Sequence, residues 1–202
     1  MNSSKNVLKA RCDGTGLFVK LVFWGYAVYL AVMLGIGLWM LGQAGSTFQI
    51  NLLNTGNGLA GYGFFKGSLE VDFARNVLNE RAASSPKLVY LIGYLGGCVE
   101  KALILAVLWN IVHIFPRLNK EESPFQTKNC RSVFRIGVLV TVIGFVRTGL
   151  IPTILGILRY ADVWSGNYAF WWYCLIIGAI IICFSYIFEY GMALQTESDE
   201  TL

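Results

Sequence analysis

The stretch GYLGGCVEKALILAVLW, residues 93–109, places two adjacent charges, Glu100 and Lys101, in the middle of a long apolar run. The fifteen Leu, Ile, Val and Phe residues between positions 88 and 115 favour insertion into a bilayer by ~4.5 to 9 kcal/mol. A charge at the bilayer centre costs about 2.5 to 3.5 kcal/mol, so the two charges cost ~5 to 7 kcal/mol. Because the two sums nearly cancel, we predict a transmembrane helix that depends on partner helices.

The composition of the whole chain agrees with a membrane protein. Of its 202 residues, 55% are hydrophobic and only 14% are charged, whereas soluble domains carry about 25% charged residues. Apolar segments of the ~20 residues needed to span a bilayer predict four transmembrane helices, over residues 17–41, 88–115, 131–158 and 169–192. We therefore expect an all-α integral membrane protein. It would form one up-down four-helix bundle over residues 1–202, with a long extracytoplasmic loop over residues 42–87.

The limits of the spans are predicted from prolines and polar segments. Residues 1–16 are interpreted as a polar cytosolic tail, and the apolar segment after them exceeds the roughly 7 to 15 residues of a signal-peptide core. We therefore interpret that segment as a retained anchor. Pro116 is expected to end the second span, and Pro152 is expected to kink the third. The C-terminal sequence ALQTESDETL, residues 193–202, is acidic and is expected to be exposed.

The long loop contains a short alternation of apolar and polar residues that two elements could explain. Leu69, Val71 and Phe73 alternate with polar residues as in a strand, whereas the same segment could form a short helix beginning near Asp72. Both alternatives predict a small cap on the outer face. A GYG triplet at residues 61–63 also occurs in potassium-channel filters, but the flanking pattern of a re-entrant pore helix is missing.

Charges inside the predicted spans indicate a contact between the second and third helices. Glu100 shares a helical face with Gly93, Gly96 and Gly97, and the small-xxx-small pair of Gly93 and Gly97 would let a neighbouring helix approach closely. Glu100 and Arg147 each lie fifteen residues from the cytosolic ends of antiparallel spans, at a depth of ~22 Å. We therefore predict a Glu100–Arg147 ion pair. Lys101 could join this network, bond to a backbone carbonyl or face a water-filled cavity.

The role of this intramembrane network has three alternatives. The ion pair could be structural and fix the register of two helices. It could handle an ion or a ligand, as charged residues inside membranes often do. It could also take part in assembly with another membrane protein.

The distribution of basic residues predicts the topology. Nine lysines and arginines fall on the N-terminal side of the membrane and five on the opposite side. The positive-inside rule then places both termini in the cytosol of a multi-pass protein of the cytoplasmic membrane.

The sequence lacks the patterns of metal, redox and enzyme sites. Its five cysteines have no C-x-x-C spacing, and its one histidine, His113, lies near a span end. It has no H-E-x-x-H motif and no Ser/His/Asp set, and its net charge of +4 is modest. We therefore expect no enzyme activity, no cofactor, no metal site and no direct binding of nucleic acid.

The second half of the chain carries motifs that resemble a known family. SPFQTKNCRSVFRIG, residues 123–137, contains a P-F turn, and FEYGMALQTESDETL, residues 188–202, contains an L-Q-x-E-x-D-x-T tail after a Y-G pair. These features are similar to the bacterial membrane proteins catalogued as domain of unknown function 2975. The resemblance implies no established enzyme activity, and it implies a cytosolic helix-turn-helix transcription regulator as partner.

The same resemblance suggests a cytosolic docking face made of the P-F loop, Pro124 and Phe125, and the acidic tail. In this face Arg131 and Arg135 would lie near the tail carboxylates, which are Glu197, Asp199 and Glu200. The alternative is a solvated tail that only anchors the fourth span.

Two functions of different classes follow. The first is a small regulatory or interaction protein of the bacterial inner membrane, held in the lipid bilayer and docking a cytosolic partner. The alternative is a small ion, proton or solute transporter or channel subunit that uses Glu100, Lys101 and Arg147. Because four spans without an internal repeat give little room for alternating access, transport would require a homo-oligomer.

Overall fold

The computed structural model of the chain describes residues 2–51, 59–64, 69–74, 80–120, 127–160 and 169–200. Long apolar helices account for most of these residues. The helices are α1 (Asn2–Leu41), α2 (Glu80–Ser84), α3 (Pro86–Lys120), α4 (Thr127–Phe145), α5 (Ile151–Ile157) and α6 (Ala169–Glu200). The strands are β1 (Phe48–Asn51), β2 (Leu59–Phe64) and β3 (Leu69–Ala74).

Four helical segments within the described residues are long and apolar enough to cross a membrane. Each has 26 to 31 residues and a mean hydropathy of 1.8 to 2.0. They are Cys12–Leu41, Pro86–Pro116, Thr127–Ile157 and Trp172–Glu197. The prediction of a helical, multi-pass membrane protein with four spans is confirmed at this level.

The helices continue beyond the apolar segments, and the second candidate span ends at Pro116, where the sequence placed its end. Helix α1 begins at Asn2, so residues 2–16 are helical, and α6 continues through the acidic segment to Glu200. Helix α3 passes through Pro116 and ends at Lys120. A proline inside a helix costs about 3 kcal/mol, and the helical turns on both sides of Pro116 outweigh that cost.

The loop after α1 contains a three-stranded antiparallel sheet in the order β1-β2-β3. In its register Phe64 lies opposite both Phe48 and Leu69. The alternation at residues 69–73 therefore forms a strand, the alternative of a helix beginning near Asp72 is wrong, and α2 begins later, at Glu80. The sheet is a small β element within a part of the chain that is otherwise mainly helical. Glycines at residues 61 and 63 dilute the apolar pattern of β2, which hides the strand in the sequence.

The chain divides into two compact units. The first unit consists of Met1–Tyr29, Ala102–Ile143 and Cys174–Leu202. The second unit consists of Leu30–Lys101 and Gly144–Tyr173.

An aromatic cluster forms the core of the second unit and ties the sheet to the helix ends. The ring of Phe48 lies 4.9 Å from that of Phe64 and 5.3 Å from that of Tyr90. The Tyr90 hydroxyl donates a hydrogen bond of 3.3 Å to the Leu69 carbonyl of β3. Lys87 donates bonds of 3.0 and 2.6 Å to the carbonyls of Leu41 and Gln43, which satisfies acceptors that the end of α1 leaves open.

In the first unit, α4 and α6 pack closely where two glycines meet. A Cβ atom added to Gly137 would lie 2.8 Å from the Gly178 carbonyl oxygen, and one added to Gly178 would lie 2.7 Å from the Gly137 oxygen. Further along, the buried Ser185 hydroxyl donates a bond of 2.9 Å to the Cys130 carbonyl. The small residues let the two backbones approach, as in many membrane helix pairs.

Candidate functional site

Glu100 and Arg147, the residues of the predicted intramembrane ion pair, are in contact. Nη1 of Arg147 lies 3.3 Å from Oε1 of Glu100. The side chain of Glu100 is only 15% exposed, whereas that of Arg147 is 56% exposed. The carboxylate is therefore enclosed by protein, and the guanidinium reaches it from a more open position.

A close helix contact explains why the two charges meet. Glu100 is near the middle of the segment Pro86–Pro116. Four residues earlier, Gly96 approaches α5 so closely that an added Cβ would lie 2.5 Å from Cδ1 of Ile151. Arg147 lies four residues before Ile151, and Glu100 lies four residues after Gly96. Because the two helices are antiparallel, one helical turn from the contact of Gly96 with Ile151 brings Glu100 opposite Arg147. Gly96, one of the glycines on the predicted face, is therefore a position of close approach.

Arg147 lies in a π-helical turn, Val146–Leu150, between α4 and α5. Pro152 follows this turn and has no N–H group for the carbonyl four residues before it, Thr148, against which its ring would also clash in an α-helix. A wider turn relieves this conflict, and such turns recur at functional sites. Thr148 donates its hydroxyl to the Gly144 carbonyl at 2.8 Å. Pro152 indicated in the sequence that the third span departs from a regular α-helix, but it did not indicate a π-helical turn.

Of the three alternatives for Lys101, the structure shows the bond to a backbone carbonyl. Its Nζ lies 3.4 Å from the Gly97 carbonyl oxygen of its own helix. Gly97 leaves room for this arrangement, since a Cβ there would lie 3.7 Å from the same Nζ. The ammonium group is thereby solvated by the helix that carries it.

The arrangement of Glu100 and Arg147 has two chemical capacities. First, the charge-assisted hydrogen bond between the two side chains holds the middle of α3 to the π turn. It also pairs two charged groups whose insertion into a membrane costs free energy. Because Glu100 is the enclosed partner, it could also exchange a proton or a cation if the guanidinium moved away.

The predicted docking residues fall into two places. Pro124 and Phe125 lie outside the described residues. Arg131 and Arg135 line a groove of about 260 Å³ between α4 and α6. The other residues that line it are Thr127, Cys130, Phe134, Ser185, Tyr186 and Glu189.

The carboxylate that shares this groove with the arginines is that of Glu189. Glu197 is exposed and lies eight residues further along α6, about 12 Å along the helix axis. Asp199 and Glu200 belong to the last turn of the same helix. Glu189 is thus the acidic residue that lines the groove with the two arginines, and the acidic end of α6 lies further along the same helix. Glu189 was missed because it stands between aromatic residues and outside the tail motif.

Within the described part of the chain, no group of three or more His, Cys, Asp and Glu residues is placed to hold a metal ion. Comparisons of the chain with protein-family models, with curated proteins and with solved structures found no match. The resemblance to the bacterial family therefore rests on the motifs at residues 123–137 and 188–202 alone.

Proposed function

We propose that this chain is a regulatory or interaction protein of the bacterial cytoplasmic membrane, which docks a cytosolic partner through its acidic C-terminal helix end. In this proposal the four spans form an up-down bundle with both termini in the cytosol, and the sheet lies on the outer face. The sequence resemblance favours a helix-turn-helix transcription regulator as the partner.

The observation that supports this proposal is the continuation of α6 beyond its apolar segment. Residues 193–197 are helical and exposed. Thr127, the first residue of α4, contacts Met192 at 3.5 Å, so α6 continues for two further turns past the start of its neighbour. The end of α6 carries Glu197, Asp199 and Glu200, and this negative charge would suit a basic surface of the kind that DNA-binding proteins carry.

Removal of residues 195–202 should abolish capture of the cytosolic partner. The full-length and truncated proteins, both solubilised in a neutral detergent, would be used as bait in a lysate of the native host, and bound proteins would be identified by mass. The expected result is a DNA-binding regulator captured only by the full-length protein, while the melting temperature is unchanged and helical content falls only by the residues removed from α6.

A charge-neutral variant provides the matched control for the truncation. Glu197→Gln, Asp199→Asn and Glu200→Gln together keep the length and helix of the tail but remove its charge. Loss of capture in this variant would support recognition through charge, since such contacts depend on complementary potentials. Equal capture by the full-length and truncated proteins would contradict the docking proposal.

A second candidate function is ion or proton transport through the centre of the spans. The contact of Glu100 with Arg147 beside a π turn favours it, because enclosed carboxylates inside membranes are typical of transport paths. Glu100→Gln removes the charge and keeps the shape of the side chain. In liposomes this variant should lose proton or cation flux relative to the native protein, while its melting temperature shows that it is folded. Absence of flux in the native protein would contradict this candidate.

A further inference from the structure

The groove between α4 and α6 combines two positive charges, one negative charge and an apolar wall. Arg131 and Arg135 lie one helical turn apart on α4, so their guanidinium groups are on the same face. Both residues are exposed. Across the groove, α6 contributes Tyr186 and Glu189.

The floor of the groove is fixed by a buried contact. The Ser185 hydroxyl donates to the Cys130 carbonyl at 2.9 Å, and both residues are buried. This bond joins the two helices directly under the charged side chains. Above this fixed contact, the two guanidinium groups and the Tyr186 hydroxyl are donors that can face a single anion.

The position of the groove along the span matches the headgroup layer of a bilayer. The segment Thr127–Ile157 has 31 residues and is about 46 Å long at 1.5 Å per residue, whereas the hydrocarbon layer is only about 30 Å thick. Several ångströms at each end must therefore lie in the polar layers. The groove begins in this layer at Thr127 and extends about 12 Å along the axis to Arg135, whose long side chain can reach back to the polar layer.

Aromatic side chains at the groove support the same depth. The ring of Phe134 meets the ring of Tyr186 edge-on, with centroids 6.2 Å apart. Tyrosine side chains are typical of the boundary between hydrocarbon and headgroups, where an apolar ring and a polar hydroxyl both find suitable surroundings. The pair provides an apolar wall below the charges, suitable for the glycerol and the first carbons of an acyl chain.

We propose that this groove is a binding site for the headgroup of an anionic phospholipid of the phosphatidylglycerol type. The phosphodiester accepts hydrogen bonds from Arg131 and Arg135, whose forked guanidinium groups match phosphate oxygens. The Glu189 carboxylate accepts a bond from a hydroxyl of the headgroup glycerol. The net charge of the lining, +1 from two arginines and one glutamate, is complementary to one lipid phosphate.

This site is distinct from the proposed docking element. Glu197 lies about 12 Å beyond Glu189 along α6, so the groove and the acidic helix end can be altered separately. A lipid at the groove would fix the depth of α4 and α6 in the bilayer, independently of any cytosolic partner.

Native mass spectrometry of the full-length protein in a neutral detergent tests the proposal. Phosphatidylglycerol and phosphatidylcholine with the same acyl chains would be added at equal concentrations, and bound lipids would be counted. The basic side chains near a membrane surface each strengthen binding of an anionic lipid about fivefold, so the two arginines predict about a 25-fold preference for phosphatidylglycerol. The variant Arg131→Gln/Arg135→Gln should lose this preference.

Lys128→Gln is the matched control, because Lys128 is a basic residue of the same helix turn and is not part of the lining. It should keep the preference, and loss of the preference in this variant would overturn the proposal in favour of general surface charge. Glu189→Gln should weaken the discrimination between phosphatidylglycerol and phosphatidic acid, which lacks the headgroup glycerol.

Two further measurements use the native protein, so the proposal stays testable if the double variant fails to fold. Inorganic phosphate at the lipid concentration should not displace phosphatidylglycerol, and displacement would show a site for free anions instead. A lack of preference for phosphatidylglycerol over phosphatidylcholine would also overturn the assignment to lipid. So would a peptide of the sequence ALQTESDETL that displaces phosphatidylglycerol more strongly than inorganic phosphate does.

Discussion

Replacing Glu100 with alanine should lower the free energy of unfolding by about 2.5 to 3.5 kcal/mol, which is the cost of a charge inside a membrane that loses its counter-charge. The carboxylate lies 3.3 Å from Arg147, so Glu100→Ala leaves the guanidinium inside the span without this counter-charge. For a chain of this size, the change corresponds to a fall in Tm of roughly 5 to 14 °C. Thermal unfolding of the detergent-solubilised protein, followed by tryptophan fluorescence, measures it.

The double variant Glu100→Ala/Arg147→Ala should recover part of the loss. If the two side chains stabilise each other, the sum of the single effects exceeds the effect of the double variant by about 0.5 to 3 kcal/mol. Lys101→Ala is the matched control at the same depth, since Lys101 contacts only a carbonyl of its own helix among the bonds described here. Additive effects of Glu100→Ala and Arg147→Ala would contradict a structural role of the pair.

The spans and the ion pair could be predicted because strong constraints act on them. Long apolar segments have few alternatives to membrane helices. Inside such helices, an unpaired charge has a high free-energy cost, so Glu100 is expected to contact a counter-charge at the same depth. Counting residues from the span ends was therefore enough to select Arg147.

The rest of the site depends on contacts that sequence periodicity does not encode. The chain has 22 glycines, and no spacing rule identifies Gly96 as the one that meets Ile151. The π turn arises from the combination of Pro152 with that packing. Strand β2 was not recognised because it contains two glycines, and the place of Glu189 in the groove follows from the register of α6 against α4.

The second large effect on stability is expected for Gly178→Ala, because α4 and α6 cross closely at this glycine. A methyl group on Gly178 would lie 2.7 Å from the backbone oxygen of Gly137 and would also clash with the Thr141 hydroxyl. A side chain such as Thr141 can rotate away, but a backbone carbonyl held in a helix cannot move without separating the two helices. Gly178→Ala should therefore destabilise the protein by about 1 to 3 kcal/mol, as overpacking does elsewhere.

Gly25→Ala and Gly35→Ala give this prediction its control, because both glycines lie in α1 with nothing within 4 Å of an added Cβ. Alanine is favoured over glycine inside a helix by roughly 0.5 to 1 kcal/mol, so these two variants should be neutral or slightly more stable. The same substitution is thus expected to change stability in opposite directions at open and crowded positions.

Adding Thr141→Ala to Gly178→Ala should restore only part of the stability, since the contact with the Gly137 backbone remains. Thermal unfolding in detergent distinguishes these outcomes, and a Gly178→Ala protein as stable as the Gly25→Ala protein would show that the two helices do not cross at Gly137 and Gly178.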